Sequence, residues 1–417
     1  MIIKKITKKT NKVPKKYYDI EVENYHNFFI TKSKVVTHNS SLESTIIGMA
    51  QNFVGSNNIN LLEPNGEYGT RLKGGKDASA SRYIFTNLSD ITRDIFKNDD
   101  DEILEYLIDD GYKVEPKYYT PIIPMVLVNG SDGIGTGWSS YIPHFNPNDL
   151  IEYIKAKLAN KRKLPELKPW FKNFKGEIIP DLEKNRYISR GIFKKLPNNK
   201  LNILELPISM WNDKYYTILD KLMDEKFIKD YDKHCTDNDV NIVISFTEDV
   251  FKTLTNDIII KKFNLESYIS MNNMNLFDEN GKIYAYKDQY EIINKFIELR
   301  INYYTLRKQN ILNKLEEQKN YTSNKMKFIN CVLKKKIIFE NKTKSDIITQ
   351  IELNKINKHN DNYDYLINMP LISLSKEKLE ELKLTFEKIK LEIEKIKAIT
   401  ENKMWLSELN NLKRKIS

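Results

Sequence analysis

Long apolar runs are missing from this 417-residue sequence. None approaches the ~20 consecutive residues that a membrane-spanning helix needs, so no membrane partner is expected. The opening MIIKKITKKTNKV has no continuous apolar segment of the kind a secretory signal carries. Cysteine is scarce. Cys235 and Cys331 lie far apart in sequence, which suggests neither a disulfide framework nor a zinc site, and a reducing, cytosol-like compartment is the default. Arginine is absent from residues 1–39, which hold nine lysines against Asp19, Glu21 and Glu23, a net +6. The formal charge of the whole chain is +10, so the other 378 residues carry only +4. Net charge alone is therefore weak evidence for a nucleic-acid partner, and local patches must carry that case. What is present is ample material for sizeable cores, with 40% hydrophobic and 11% aromatic residues in a length that suits two to four domains.

Residues 17–39 read as three short β pieces, YDIEVE, HNFFI and KVVTHN. So little β structure is hardly stable alone and calls for a partner. At Asn39–Ser40 the pattern changes without a linker. Ser40-Ser41-Leu42-Glu43 is a capping-box pattern, and Leu42, Ile46, Met49, Ala50 and Phe53 follow at helical spacing. Tyr18-Asp19, then His26-Asn27-Phe28, then a β-branched run ending His38-Asn39 before Ser40 resembles the C-terminal part of an intein. The resemblance implies that Asn39 cyclises on its own carbonyl and cleaves the next bond, with Ser40 as the hydroxyl that first accepts the upstream segment as an ester. His38 would polarise the scissile carbonyl, and His26 and Asp19 would tune proton transfer. No N-terminal intein half precedes these motifs, so the implied object is one half of a split intein. Its complement is expected on another chain and, given the +6 here, to be acidic. The alternative is a β hairpin with ordinary histidines.

The loop EPNGEYGTRLKGGKDASASRYIFTNL sets Gly66, Gly69, Gly74 and Gly75 among Arg71, Lys73, Lys76 and Arg82. Glycines admit phosphates to backbone N–H groups and cations neutralise them; the same composition also makes an ordinary turn. Further on comes YYTPIIPMVLVNGSDGIGTGWSSYIPHFNP. Together with AQNFVGSNNINLLEPNGEYGTRLKGGKDASASRYIFTNL it resembles the break-reunion core of type IIA DNA topoisomerases, closer to the eukaryotic single-chain form than to gyrase. The resemblance implies that Tyr83 attacks a DNA phosphodiester to give a 5′-phosphotyrosyl bond and that Arg82 stabilises the scissile phosphate. It also places Arg71, Lys73 and Lys76 against DNA and makes Ile134 a wedge between base pairs, with Gly133 and Gly135 permitting close approach. Read from the residues alone, Tyr83 would be a core tyrosine in an alternating strand, and Ile134 a loop residue under Trp138. The family's Tyr-His-His-Gly-acid stretch, due just before the helix, is absent. It is expected on an upstream chain with the acidic metal-binding domain.

The acidic run NDDDEILEYLIDDG from Asn98 to Gly111 reads as a solvated helix and its flanks rather than a magnesium site. KPWFKNFKGEI interleaves Trp170, Phe171 and Phe174 with Lys168, Lys172 and Lys175, equally suited to a DNA backbone or to packing. Ile292, Phe296, Leu299, Tyr303 and Leu306, and later Leu379, Leu382, Phe386, Ile389, Ile393 and Ile396, form narrow apolar seams. The expected fold is α+β and multidomain: a β intein segment (1–39), a winged-helix-type DNA cleavage domain (40–146), an α/β tower (147–285), and a long antiparallel coiled coil with a helical exit gate (286–417). The resemblance further implies double-stranded DNA as substrate, a homodimer of the spliced subunit, and Mg2+ and ATP bound by the upstream portion with no metal held here. The lack of a long basic tail before Ser417 weighs against supercoiling. A cytoplasmic site in a prokaryotic or virus-infected cell is expected, with the nucleus left open. The rival expectation is a DNA-binding and dimerisation module that never reacts.

Overall fold

The computed structural model describes residues 3–10, 16–22, 28–30, 35–37, 39–135 and 137–416, with side chains from residue 42 onward. They divide into two units, Met1–Asn98 with Leu104–Glu298 and Glu408–Ser417, and Asp99–Ile103 with Leu299–Ser407.

In the first unit, β1 (Ile3–Thr10) pairs antiparallel with β2 (Lys16–Val22), and β3 (Phe28–Ile30) with β4 (Val35–Thr37). The three pieces read from residue 17 onward are strands, and β1 adds a fourth. Helix α1 (Asn39–Ala50) begins one residue earlier than its serine cap suggests. Its inner face sets Ile47 and Ala50 against Tyr68, Ile84 and Leu62. After α2 (Thr92–Ile95) the acidic run departs from the expected helix. Asn98–Asp100 makes one 3-10 turn, and β5 (Tyr106–Asp109) pairs with β6 (Tyr112–Pro116). Asp110 and Gly111 join them at φ 47° and 84°, the left-handed pair that a two-residue hairpin turn demands. Turn chemistry outweighs the acidic composition there.

Next come α3 (Met125–Val128), the hairpin β7 (Ser131–Gly135) with β8 (Trp138–Ile142), and α4 (Pro147–Leu158). Asn146 caps α4 by accepting from the Asn148 amide at 2.9 Å, with proline in the first turn. Two antiparallel sheets follow. One has three strands in the order β15–β10–β9 (Glu266–Ser270, Arg186–Arg190, Glu177–Asp181); the other has four, β11–β12–β14–β13 (Ile192–Leu196, Lys200–Glu205, Ile242–Ser245, Asp230–Lys233). Strands β12 and β14 alternate buried and half-buried residues. Their buried Leu201, Ile203, Ile242 and Ile244 share a core with Leu219 of α5 (Asn212–Asp224) and Ile259 of α7 (Asn256–Lys262). Helix α6 (Glu248–Thr253) precedes α7, and the hairpin β16 (Met274–Phe277) with β17 (Ile283–Tyr286) closes this stretch.

Helix α8 (Gln289–Leu333) runs 45 residues, about 68 Å at 1.5 Å per residue, and its larger part belongs to the second unit. Its buried stripe is offset from the predicted seam. Leu306 is 52% exposed, and the stripe runs through Ile293, Ile297, Arg300, Tyr304 and Arg307. The steps of four and three are those of the seam, but two of the positions are arginines, which an apolar template skips. Within the second unit, Arg300 Nη2 donates to Asp100 Oδ2 at 2.7 Å, and Arg307 donates through Nε and Nη2 at 2.7 and 2.6 Å. Both guanidinium groups flank the Tyr304 ring, at 4.4 and 4.5 Å, and that ring stacks on Trp405. Further along, α8 sets Leu315 against Ile389 and Ile393 of α11 (Lys376–Ala398). A separate cluster joins Phe328 of α8, Ile347 and Ile351 of α9 (Lys344–Leu353) and Leu366 of α10 (Asp364–Ile367). Helix α12 (Glu401–Ile416) ends the chain's described part.

Removing one partner from a buried ion cluster leaves uncompensated charge, which costs about 3–5 kcal/mol. Asp100→Ala should therefore lower the melting temperature of the helical unit by several degrees, read by circular dichroism. Lys378→Ala, which breaks an exposed i,i+3 pair with Glu381, should change it by no more than about 0.5 kcal/mol in stability.

Candidate nucleic-acid interface

Tyr83 ends a 3-10 turn, Ser81–Tyr83, whose last amide donates to the Ala80 carbonyl at 2.9 Å. RYIFTNL alternates as read, yet the alternation serves isolated bridges rather than a full strand, Leu62 opposite Leu88 and Asn65 opposite Phe85. Ile84 turns inward onto Tyr68 and Ala50, while Tyr83 is 66% exposed. A core tyrosine is ruled out. The Arg82 guanidinium lies 4.9 Å from the Tyr83 ring centre, and Arg82 is itself exposed.

The glycine-rich loop beside it is shaped by packing. A Cβ on Gly74, at φ +63°, would sit 2.4 Å from the Trp211 indole; one on Gly75 would sit 2.3 Å from Gln51 Nε2; one on Gly69 would sit 2.6 Å from the Gly75 carbonyl. These glycines admit neighbouring side chains and backbone of the same chain rather than a phosphate. Asp77 clasps the loop by accepting from Thr70 N and Oγ1 at 2.8 and 2.6 Å. Burial works to raise its carboxyl pKa, and the Thr70 hydrogen bonds, with Asp77's own backbone amide and the nearby Lys73 charge, together outweigh it and lower it. Arg71 corrects the expectation that it contacts DNA. It is 3% exposed and paired with the equally buried Glu205, with a further hydrogen bond to the Leu206 carbonyl. Lys73 and Lys76 are exposed, as a phosphate contact requires.

Ile134 lies near the tip of the β7–β8 hairpin and is 92% exposed. It is not tucked under Trp138, whose ring meets Phe277 edge-on at 5.6 Å. Gly135 is required by that tryptophan, since a Cβ there would lie 2.4 Å from its indole nitrogen, whereas Gly133 faces open space. Asn273 and Asn275 bind Ser139 and so moor the hairpin. In the Lys168–Ile178 stretch the structure divides the residues. Phe171 packs on Val54, Ile208 and Ile269 with Phe174 against them, while Trp170 and the three lysines face outward.

Two residues that sequence reasoning missed hold this surface together. Asn58, 4% exposed, donates to the Val128, Phe145 and Trp170 carbonyls and accepts from the Lys172 amide. His144 lies on Phe171 with ring centres 4.9 Å apart, and its Nδ1 is buried without a partner. Of the splicing candidates, Asp19 is on β2 opposite Thr7, and Asn39 and Ser40 open α1. His26, His38 and the side chains of Asp19, Asn39 and Ser40 lie outside the described residues. Among the described residues no three His, Cys, Asp or Glu side chains come together to hold a metal ion. No described helix is long and apolar enough to cross a membrane.

The same unit presents an exposed tyrosine beside an arginine and an exposed apolar side chain on a moored hairpin, features suited to a polyanion that must be attacked and bent. The comparisons agree on the class. The family model for the A subunit of DNA gyrase/topoisomerase IV matches residues 36–410, and the chain belongs to that family. The DNA topoisomerase 2 of Plasmodium falciparum is 40% identical over 414 residues, which cover 90% of this chain and 30% of that protein. That of Arabidopsis thaliana is 35% identical over 420 residues, covering 90% and 28%. The crystal structure of the Plasmodium falciparum topoisomerase II DNA-binding, cleavage and re-ligation domain superposes with a TM-score of 0.82 at 40% identity, covering 90% of this chain and 55% of that one. The fold is thus the mixed α/β fold of a type II topoisomerase breakage-reunion core, and the chain spans less than a third of the length of these two curated relatives.

Burial pushes the His144 imidazole down to about 4. The unfolded chain takes up that proton near pH 6.5 and the folded one does not. The stabilisation is therefore complete above pH 6.5 and is lost as pH falls to 4, a change of about 3 kcal/mol. Melting at pH 7 and pH 4.5 should show a drop for the first unit that His144→Gln reduces.

Proposed function

We propose that residues 40–417 are the C-terminal part of a type II DNA topoisomerase that cuts and rejoins double-stranded DNA through Tyr83. The exposure of Tyr83 beside Arg82 carries this reading. The phenol loses its proton as its oxygen attacks phosphorus. The bond from phosphorus to the 3′ oxygen breaks, and the leaving oxygen takes a proton. Reversal needs no nucleotide, because the phosphotyrosyl ester keeps the bond energy. A guanidinium beside the phosphate stabilises both phenolate and transition state. Lys73 and Lys76 would contact phosphates and Ile134 would wedge between base pairs. The sheets between residues 177 and 270 would form the tower that supports bent DNA. Helices α8 and α11 would pair as an antiparallel coiled coil below an exit gate. Leu353, Leu371 and Ile372, each more than three-quarters exposed, offer that gate an apolar face for a second copy of the chain. Mg2+ and ATP use falls to the remainder of the enzyme, and the assembled protein would work in the cytoplasm.

We also infer that residues 1–39 are a half-intein. The Asn39 amide nitrogen would attack its own backbone carbonyl, closing a succinimide and breaking the bond to Ser40. The freed Ser40 amine would then take the upstream acyl group from the Ser40 ester, leaving the two polypeptides joined by a peptide bond. Support comes from the motifs at 18–19, 26–28 and 38–40 and from the change from strand, ending at Thr37, to helix, beginning at Asn39.

With the assembled enzyme, denaturing gels should show a covalent DNA adduct that Tyr83→Phe abolishes and Arg82→Ala slows by about 10²–10³-fold. Equal adduct in wild type and Tyr83→Phe would leave the DNA-binding and dimerisation module as the reading.

For splicing, co-expression with the upstream polypeptide and intact-mass measurement should show residues 40–417 joined to it. Asn39→Ala should block that release; unimpaired release would remove Asn39 from the mechanism.

A further inference from the structure

Tyr83 is exposed, so its own burial cannot fix it. What fixes it is the pair of residues that follow. Ile84 is packed on the Tyr68 ring, and the Phe85 carbonyl accepts the Tyr68 hydroxyl at 2.7 Å and the Asn65 amide at 3.2 Å. Tyr68 is 5% exposed. Its own carbonyl accepts from Gln51 Nε2 at 2.9 Å, and the same nitrogen donates to the Gly75 carbonyl at 3.2 Å. One residue, Tyr68, therefore links Gln51 after α1, through its carbonyl, to both residues after Tyr83, through its side chain. A phenylalanine would fill the same space; only the hydroxyl makes the bond to Phe85.

We propose that Tyr68 is a positioning residue for Tyr83, setting the direction of attack through the Phe85 carbonyl. This rests on Tyr83 being the nucleophile. A displacement of about 1 Å can cost a reaction two orders of magnitude in rate. Here Asn65 still holds the carbonyl, so the loss is that of one hydrogen bond, about five- to tenfold. Because positioning lowers the barrier in both directions, it changes the rates of cleavage and religation equally. The fraction of DNA held as adduct at equilibrium stays the same.

The test uses the assembled enzyme and a linear duplex at saturating concentration. Tyr68→Phe should slow the approach to the adduct plateau about five- to tenfold, leaving the plateau height and the Kd for DNA within twofold of wild type. Tyr215→Phe, which removes a fully buried hydroxyl that has no partner, should leave the rate unchanged. Gln51→Met should slow the reaction in the same direction as Tyr68→Phe. An unchanged rate in Tyr68→Phe overturns the proposal, as does a lowered plateau or weakened DNA binding, either of which marks a general structural defect. A wild-type enzyme with no adduct at all would instead overturn the nucleophile assignment and this proposal with it.

Discussion

A nucleophile for a macromolecular substrate must be exposed, and an exposed side chain cannot be held by its own packing. The region around Tyr83, the nucleophile proposed above, meets that constraint. The precision that a buried residue draws from its neighbours is supplied here by main chain. The Ala80 carbonyl takes the Tyr83 amide, Asn65 exchanges both hydrogen bonds with Phe85, and Thr86 reaches the Glu63 carbonyl. The glycines of the adjoining loop belong to the same arrangement. Gln51 and Trp211 approach the loop backbone more closely than any Cβ permits, so the loop can press against both α1 and α5. Flexibility in composition becomes rigidity in the folded state, since each glycine marks a contact and not a gap.

The arginines show a second consequence. Arg71, Arg300 and Arg307 are the most deeply buried cations described, each against a carboxylate. They count in the formal charge, but the carboxylates beside them offset much of the field a polyanion would meet. Guanidinium suits this use because its planar fork meets a carboxylate at two points and its face stacks on aromatic rings, as Arg300 and Arg307 do on Tyr304. The lysines remain outside, where a hydrated ammonium costs least. For a basic chain of this kind, net charge says little about the interface, because burial separates some of the charges it counts, Arg71, Arg300 and Arg307, from exposed ones such as Arg82.

That separation explains what the sequence could and could not reveal. Tyr83, Arg82 and Ile134 were legible through two long motif blocks and through nothing in their periodicity, which suits a core strand as well. Arg71 was misplaced because a basic residue in a glycine-rich loop looks the same whether its counter-ion is a phosphate or Glu205, 134 residues away. The α8 stripe was misread for a related reason. Its interior arginines are explained only by Asp100, about 200 positions upstream. The hairpin at Asp110-Gly111 was legible in principle, since that dipeptide between alternating apolar residues is a strong turn signal. It was obscured by reading the acids as a helix face.

The position of the Asn39–Ser40 bond adds one more step. Among the residues whose side chains are described, Gln51, Tyr68, Thr70 with Asp77, Arg71 with Glu205, and Trp211 hold the Tyr83 segment. A break at that bond leaves Tyr83 and each of these supports on one chain. What it severs is the covalent path to the upstream part, where the resemblance places the metal domain. Breaks at other points of the same region would be less benign. One between Gln51 and Tyr68, or between Asn65 and Phe85, would turn an intramolecular hydrogen bond into one that must survive the entropy of association. In the two-piece synthesis proposed above, division at the start of α1 keeps Tyr83 together with these supports, and the peptide bond restored later reconnects them to the upstream part.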